Sequence, residues 1–190
     1  MLNKNIWLYI LKFAGIFCIL YFGTLAVIGL SSPAGNYYSS FIDHHLDYIS
    51  PLRNSLLYAS QGLLSLLGYR TYITFPNLLM LQSGGGIDIA YDCLGYGIIS
   101  FWIAFVIANK GTVQKKISWI FGGTFFLWCI NVLRLSLILI FIKRKWDIPF
   151  FDQHTWFNIA AYFFIFLMIF FYDRSFLQVP KTKSDIPKYS

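Results

Sequence analysis

A cysteine at 93, an arginine at 134 and a histidine at 154 are the residues of this sequence whose types could combine into covalent chemistry. A thiolate is a nucleophile, a guanidinium steadies a developing oxyanion, and an imidazole carries a proton near neutral pH. Cys93 follows Asp92 and precedes Leu94 and Gly95 at the start of an apolar run. A helix start and a nearby arginine both favour the thiolate there. Arg134 lies inside an apolar stretch, where a charge is costly and by default marks function. Its other reading is a snorkelling side chain at headgroup level. Asn131, one turn earlier on the same helix face, is placed to share in holding an anion or orienting a carbonyl. His154 opens the last apolar run, with Asp152 as a candidate partner.

The elements that must position these residues are membrane helices. The 190-residue chain is long enough for one domain, and 57% of it is hydrophobic, 21% aromatic and only 12% charged. Soluble domains run near a quarter charged, and twenty Phe with six Trp overfill an aqueous core of this size. The apolar runs predict an all-α polytopic membrane protein, a single integral domain over 1–190 with spans at about 6–30, 94–109, 117–142 and 155–172. Residues 51–68 put Leu52, Leu56, Ala59, Leu63 and Leu66 on one stripe, which predicts an amphipathic helix lying in the interface outside the cytoplasm. The competing reading makes this segment a fifth span. Residues 69–92 alternate at Tyr72 and Thr74 and at Ile87, Ile89 and Tyr91, around a Pro76–Asn77 turn, and predict a short β-hairpin. The Gly84-Gly85-Gly86 run lacks the Lys-Ser/Thr of a phosphate loop and reads as a turn. Residues 173–190 form a cytoplasmic tail on this scheme.

Lys and Arg set the orientation. With the loop around Lys110, Lys115 and Lys116 in the cytoplasm, that side also holds Lys4, Lys12, Arg174, Lys181, Lys183 and Lys188. The outer side then holds Arg53, Arg70, Lys143, Arg144 and Lys145 with six aspartates. The net charge of +7 thus follows topology and the anionic inner leaflet, which argues against a nucleic-acid partner and for lipid. In this orientation Cys93, Arg134 and His154 reach one depth at the outer face, Arg134 about 25 Å beyond residue 117 at 1.5 Å per residue. Cys18 and Cys129 fall at mid-span and read as small buried hydrophobes. No CxxC pair exists, and Asp43, His44, His45 and Asp47 read as a solvated loop, so neither a metal nor a cofactor is expected.

Taken in order, Asp92-Cys93-Leu94-Gly95 at a helix start, Asn131-Val132-Leu133-Arg134 on the next helix and His154 opening the last one resemble the exosortase/archaeosortase family of membrane cysteine transpeptidases. The resemblance runs from about Leu63 to Tyr172. Many members carry Cys-Ser-Gly where this chain has Leu94 in the middle, and this chain looks like one of the compact stand-alone forms. The resemblance implies a peptidase or transpeptidase of the bacterial cytoplasmic membrane, its site facing the exterior. Its substrates would be proteins ending in a short motif, a transmembrane helix and a basic cluster. Cys93, Arg134 and His154 would be catalytic, with Asn131, Gly95 and Asp152 in support. A non-enzymatic assembly or transport module and a membrane acyltransferase are the alternatives.

Overall fold

The structure, a computed structural model, describes residues 4–32, 37–74, 77–144 and 153–177. Helix α1 (Lys4–Ser31) leads to a short α2 (Ser40–His45) and then α3 (Ile49–Leu66). Strands β1 (Thr71–Thr74), β2 (Leu78–Leu81) and β3 (Gly86–Asp88) follow, then a 3₁₀ turn over Tyr91–Leu94. Helices α4 (Tyr96–Ala108), α5 (Val113–Arg144) and α6 (Gln153–Leu177) complete the described chain.

Aromatic contacts set the direction of each long helix. Tyr21 of α1 meets Tyr96 at the start of α4, while Phe13 meets Phe101 further along. Tyr9 accepts from Asn109 Nδ2 beyond the far end of α4 (3.4 Å). On α5 and α6, Trp119 faces Tyr172 and Phe126 faces Phe164. The four helices α1, α4, α5 and α6 therefore alternate in direction. A core of Trp102, Val106, Leu127, Ile165, Met168 and Tyr172 joins the last three.

Helix α5 has 32 residues, about 48 Å at 1.5 Å per residue, and serves two partners in succession. Its first part packs on α4 and α6. Its last part, through Val132, Leu135 and Leu139, closes a second core with α3 and the sheet. Trp128 Nε1 donates to Ser55 Oγ (3.0 Å), and Lys143 lies over the Tyr69 ring (4.5 Å). Fourteen residues from Ser55 to Tyr69 thus keep pace with fifteen on α5, so α3 stands alongside α5 in the same direction. Its buried stripe is Ile49, Leu56, Leu57, Ser60 and Leu64, whereas Leu66 is 88% exposed. The apolar face of this helix is spent on α5 and the sheet, and the helix starts at Ile49 rather than the expected Pro51. Asp47 Oδ1 accepts from the Ile49 and Ser50 amides (2.9 and 3.1 Å) and satisfies two donors that a helix start leaves open.

The predicted hairpin is extended by one strand, into an antiparallel sheet ordered β1-β2-β3. Tyr72 pairs with Met80 and Leu79 with Ile87. The glycine run is the turn between β2 and β3, where Gly84 and Gly85 take φ of 95° and 90° that only glycine adopts without strain. Close approach also dictates Gly86, whose missing Cβ leaves room for the Met80 sulfur.

Among the described residues, two helices, α1 and α5, are long and apolar enough to cross a membrane. Helix α4 has 13 residues, about 20 Å, short of the ~30 Å hydrocarbon layer. Among the described residues, two of the four spans expected from sequence meet this criterion, and α3 does not. Helix α6 continues to Leu177, past the 172/173 boundary expected for a tail. Large apolar side chains lie exposed along α1 (Leu8, Leu11, Ile19, Phe22) and α6 (Tyr162, Phe163, Phe166, Phe171). Neighbouring glycines on α5 differ sharply: a Cβ at Gly123 would overlap the Trp102 indole and crowd Met168, while one at Gly122 meets nothing within 4 Å. Gly123→Ala is therefore expected to destabilise by about 1–3 kcal/mol. Gly122→Ala should be neutral or stabilising by up to ~1 kcal/mol. Thermal unfolding of the two variants in detergent checks the contrast.

Candidate functional site

Cys93 sits on the 3₁₀ turn where the chain leaves the sheet and enters α4. Its amide donates to the Ala90 carbonyl (2.9 Å), which tightens the turn. Its own carbonyl accepts from Asn131 Nδ2 (2.8 Å), across from α5. Gly95 then ends the 3₁₀ turn and begins α4 with φ 74°, ψ 17°. A Cβ at Gly95 would make only ordinary contact with the Asn131 amide, at 3.4 Å. The left-handed backbone therefore makes glycine the unstrained choice here, not lack of space. The Cys-x-Gly spacing is the length of this turn.

Asn131 is 8% exposed, and its amide is committed to the Cys93 carbonyl. The sequence reading gave it an anion or a substrate carbonyl to hold. The structure gives it a positioning contact, which holds the Cys93 turn against α5. Arg134, one turn further on, is half-buried. Leu94, Gly95, Asn131 and Arg134 together line a cavity of about 290 Å³ between α4, α5 and α6, closed on the α6 side by Ala160, Ala161 and Phe164. The thiol of Cys93 is itself half-buried against the core of α3 and the sheet, and its chain neighbours rather than the thiol line that cavity.

His154 lies in the first turn of α6, and its side chain is outside the described residues; Asp152 is outside them altogether. The level of the His154 backbone follows from packing. Tyr172 faces Trp119, Met168 lies against Gly123, and Phe164 pairs with Phe126. Each step back on α6 thus matches one step forward on α5. Continued, this register puts the His154 backbone near Leu137, about one turn beyond Arg134. On that register the three residues span about 9 Å along α5, and Arg134 shares one cavity with the residues that follow Cys93.

Arg53 was not singled out from sequence. Its guanidinium lies over the Tyr91 ring, 5.4 Å from the centroid, two residues before Cys93. No local pattern marks it, because the contact forms only once α3 stands beside the turn. The acidic–histidine cluster is structural. His44 and His45 Nδ1 donate to the carbonyls of Ser40 and Phe41 (2.9 and 3.2 Å). Tyr38 donates to Asp43 (2.9 Å), a bond that holds the phenol proton and raises its pKa, and Asp47 caps α3. No group of three or more metal-ligating side chains occurs among the described residues. Cys129 is half-buried, but Cys18 is exposed on α1 rather than buried as expected.

No known family, no curated protein and no solved structure matches this chain.

Replacing Asn131 with Leu removes the donor to the Cys93 carbonyl and should loosen the turn. The bond is worth about 0.5–1.5 kcal/mol, so alkylation of the Cys93 thiol should speed up by roughly two- to tenfold. Labelling rates in a Cys18→Ser, Cys129→Ser background measure this. An unchanged rate would mean the turn is held by something other than Asn131.

Proposed function

We propose that the chain is a membrane-embedded cysteine peptidase or transpeptidase of the exosortase/archaeosortase kind. It would lie in a bacterial cytoplasmic membrane and cleave C-terminal sorting signals of exported proteins at the outer interface. The observation that carries the reading is the clamp of Asn131 on the Cys93 carbonyl, with Arg134 one turn along on the wall of the adjoining cavity. A potential nucleophile is held by a dedicated side chain from another helix, beside a guanidinium at an apolar recess.

In this reading the Cys93 thiolate attacks the scissile carbonyl, and the new C–S bond pushes negative charge onto the carbonyl oxygen. Arg134 stabilises that oxyanion. The C–N bond then breaks, with a proton from His154 going to the leaving amine, and a thioester remains on Cys93. His154, now neutral, takes a proton from the incoming water or amine, which attacks the thioester and releases the thiolate. No step requires a metal or organic cofactor. Asn131 and Gly95 act on the geometry of the turn, not on the reacting atoms.

A membrane acyltransferase is the second reading, favoured by the apolar lining of the cavity, which suits a hydrocarbon chain. The species on Cys93 separates the two: mass spectrometry should find a peptide thioester for a transpeptidase and a fatty acyl group for an acyltransferase.

Co-expression with exported proteins that end in a short motif, an apolar helix and a basic cluster tests the proposal. Cleavage is expected with the native chain, is abolished by Cys93→Ala, and falls by about 10²–10³-fold with Arg134→Gln, as for loss of one oxyanion donor. Cys129→Ser should leave it unchanged. Cleavage that survives Cys93→Ala would sink the reading, and an assembly or transport module would take its place.

A further inference from the structure

A separate, polar cavity lies at the C-terminal end of α5. It holds about 360 Å³ and is lined by Gly68 and Arg70 between α3 and β1, by Leu81, Gln82 and Ser83 where β2 turns back, and by Lys143 in the last turn of α5. The Gln82 amide donates to the Arg70 carbonyl (2.9 Å), which ties the turn to the start of β1. Lys143 stands over the Tyr69 ring (4.5 Å). Two cations from different elements thus converge on one recess. Among the described residues, no carboxylate meets either of them.

We infer that this cavity binds the phosphate group of a phospholipid in the outer leaflet. Arg70 brings a planar fork of donors that matches phosphate oxygens, and Lys143 a point charge beside it. Height selects lipid as the source of the phosphate. Lys116 and Lys143 lie twenty-seven residues apart on one helix, or about 40 Å, and only Arg134 is charged between them. That spacing matches a bilayer of about 40–45 Å with its headgroup layers included. Lys143 therefore falls at headgroup level when Lys116 does. The rim selects lipid too. Leu66 and Leu67, just before Gly68, are 88% and 55% exposed, and Ile142 beside Lys143 is 37% exposed. Apolar side chains around a basic recess suit a phosphate that carries acyl chains, and offer nothing to a free anion. The inference rests on the membrane placement of α5 and not on the chemistry at Cys93.

The test uses the full chain in phosphatidylcholine nanodiscs doped with a phosphatidylglycerol whose headgroup carries a photoreactive diazirine. Mass spectrometry after illumination locates the adducts. They are expected on Gln82 and Ser83, and Arg70→Gln or Lys143→Gln should each lower them about fivefold, the effect of one cation on an anionic lipid. Arg144→Gln removes a charge one residue along, outside the cavity lining, and should leave them within about twofold. Adducts on residues 110–116, at the other end of α5, are the internal reference and should stay level in every variant that is folded.

An equal loss from Arg144→Gln would show diffuse attraction and overturn the site. Equal labelling by a photoreactive diacylglycerol that lacks phosphate would overturn the phosphate, leaving apolar contact alone. Displacement by inorganic phosphate at the lipid's own concentration would overturn the lipid and leave a free-anion site. None of these readouts passes through Cys93, so the site fails or stands apart from the peptidase reading.

Discussion

The Asn131 amide bound to the Cys93 carbonyl couples the helices below to the sheet and α3 above. Cys93 lies where a strand segment must become a helix within a few residues, and such a junction leaves backbone groups that cannot be left bare in a buried place. One is satisfied locally, by the bond from the Cys93 amide to Ala90. The other faces α5 and needs a donor from it. A side-chain amide is the right length and carries the right group. Once Asn131 is there, the height of α4 against α5 is set, and with it the height of Gly95 and Arg134.

Helix α5 is the second constraint, because its apolar residues have two destinations. Leu127 faces α4 and α6, whereas Val132, Leu135 and Leu139 face α3 and the sheet. Hydropathy sums both into one run and assigns it to lipid. The same double use explains why α3 stands upright: α5 continues beyond the start of α4 and offers it a surface. Arg134 occupies the change-over between the two cores. There it lines the apolar recess between α4, α5 and α6.

What was legible in the sequence was whatever depends on nearest neighbours along the chain. The apolar runs located α1, α4, α5 and α6 to within a few residues, and the alternation with glycine turns located the sheet, short of one strand. The Cys-x-Gly turn was legible because φ 74° at Gly95 asks for glycine. Contacts between distant elements were not legible. The stripe on α3 was placed one step around the helix from its true position, since Leu66 and Leu64 differ only in what lies opposite them. The partner of Asn131 was not legible for the same reason: nothing local says that it is a carbonyl 38 positions away. Arg53 beside Tyr91 belongs to this class too.

The placement of the thiol constrains how any chemistry could proceed. Cys93 packs toward the upper core, while Leu94 and Gly95, the next two residues, border the cavity. On the peptidase reading, a carbonyl entering from that cavity would therefore first meet Leu94 and Gly95. Either the peptide passes over the turn, or the turn rotates to present the thiol. A 3₁₀ turn of four residues is a weakly bonded element, and the one side-chain bond from Asn131 adds about 1 kcal/mol to its hold. Rotation of the turn would thus cost little, and the left-handed Gly95 that follows is the residue best able to absorb the change in backbone angles. On the peptidase reading, the clamp that orders the resting site would also set the threshold for opening it.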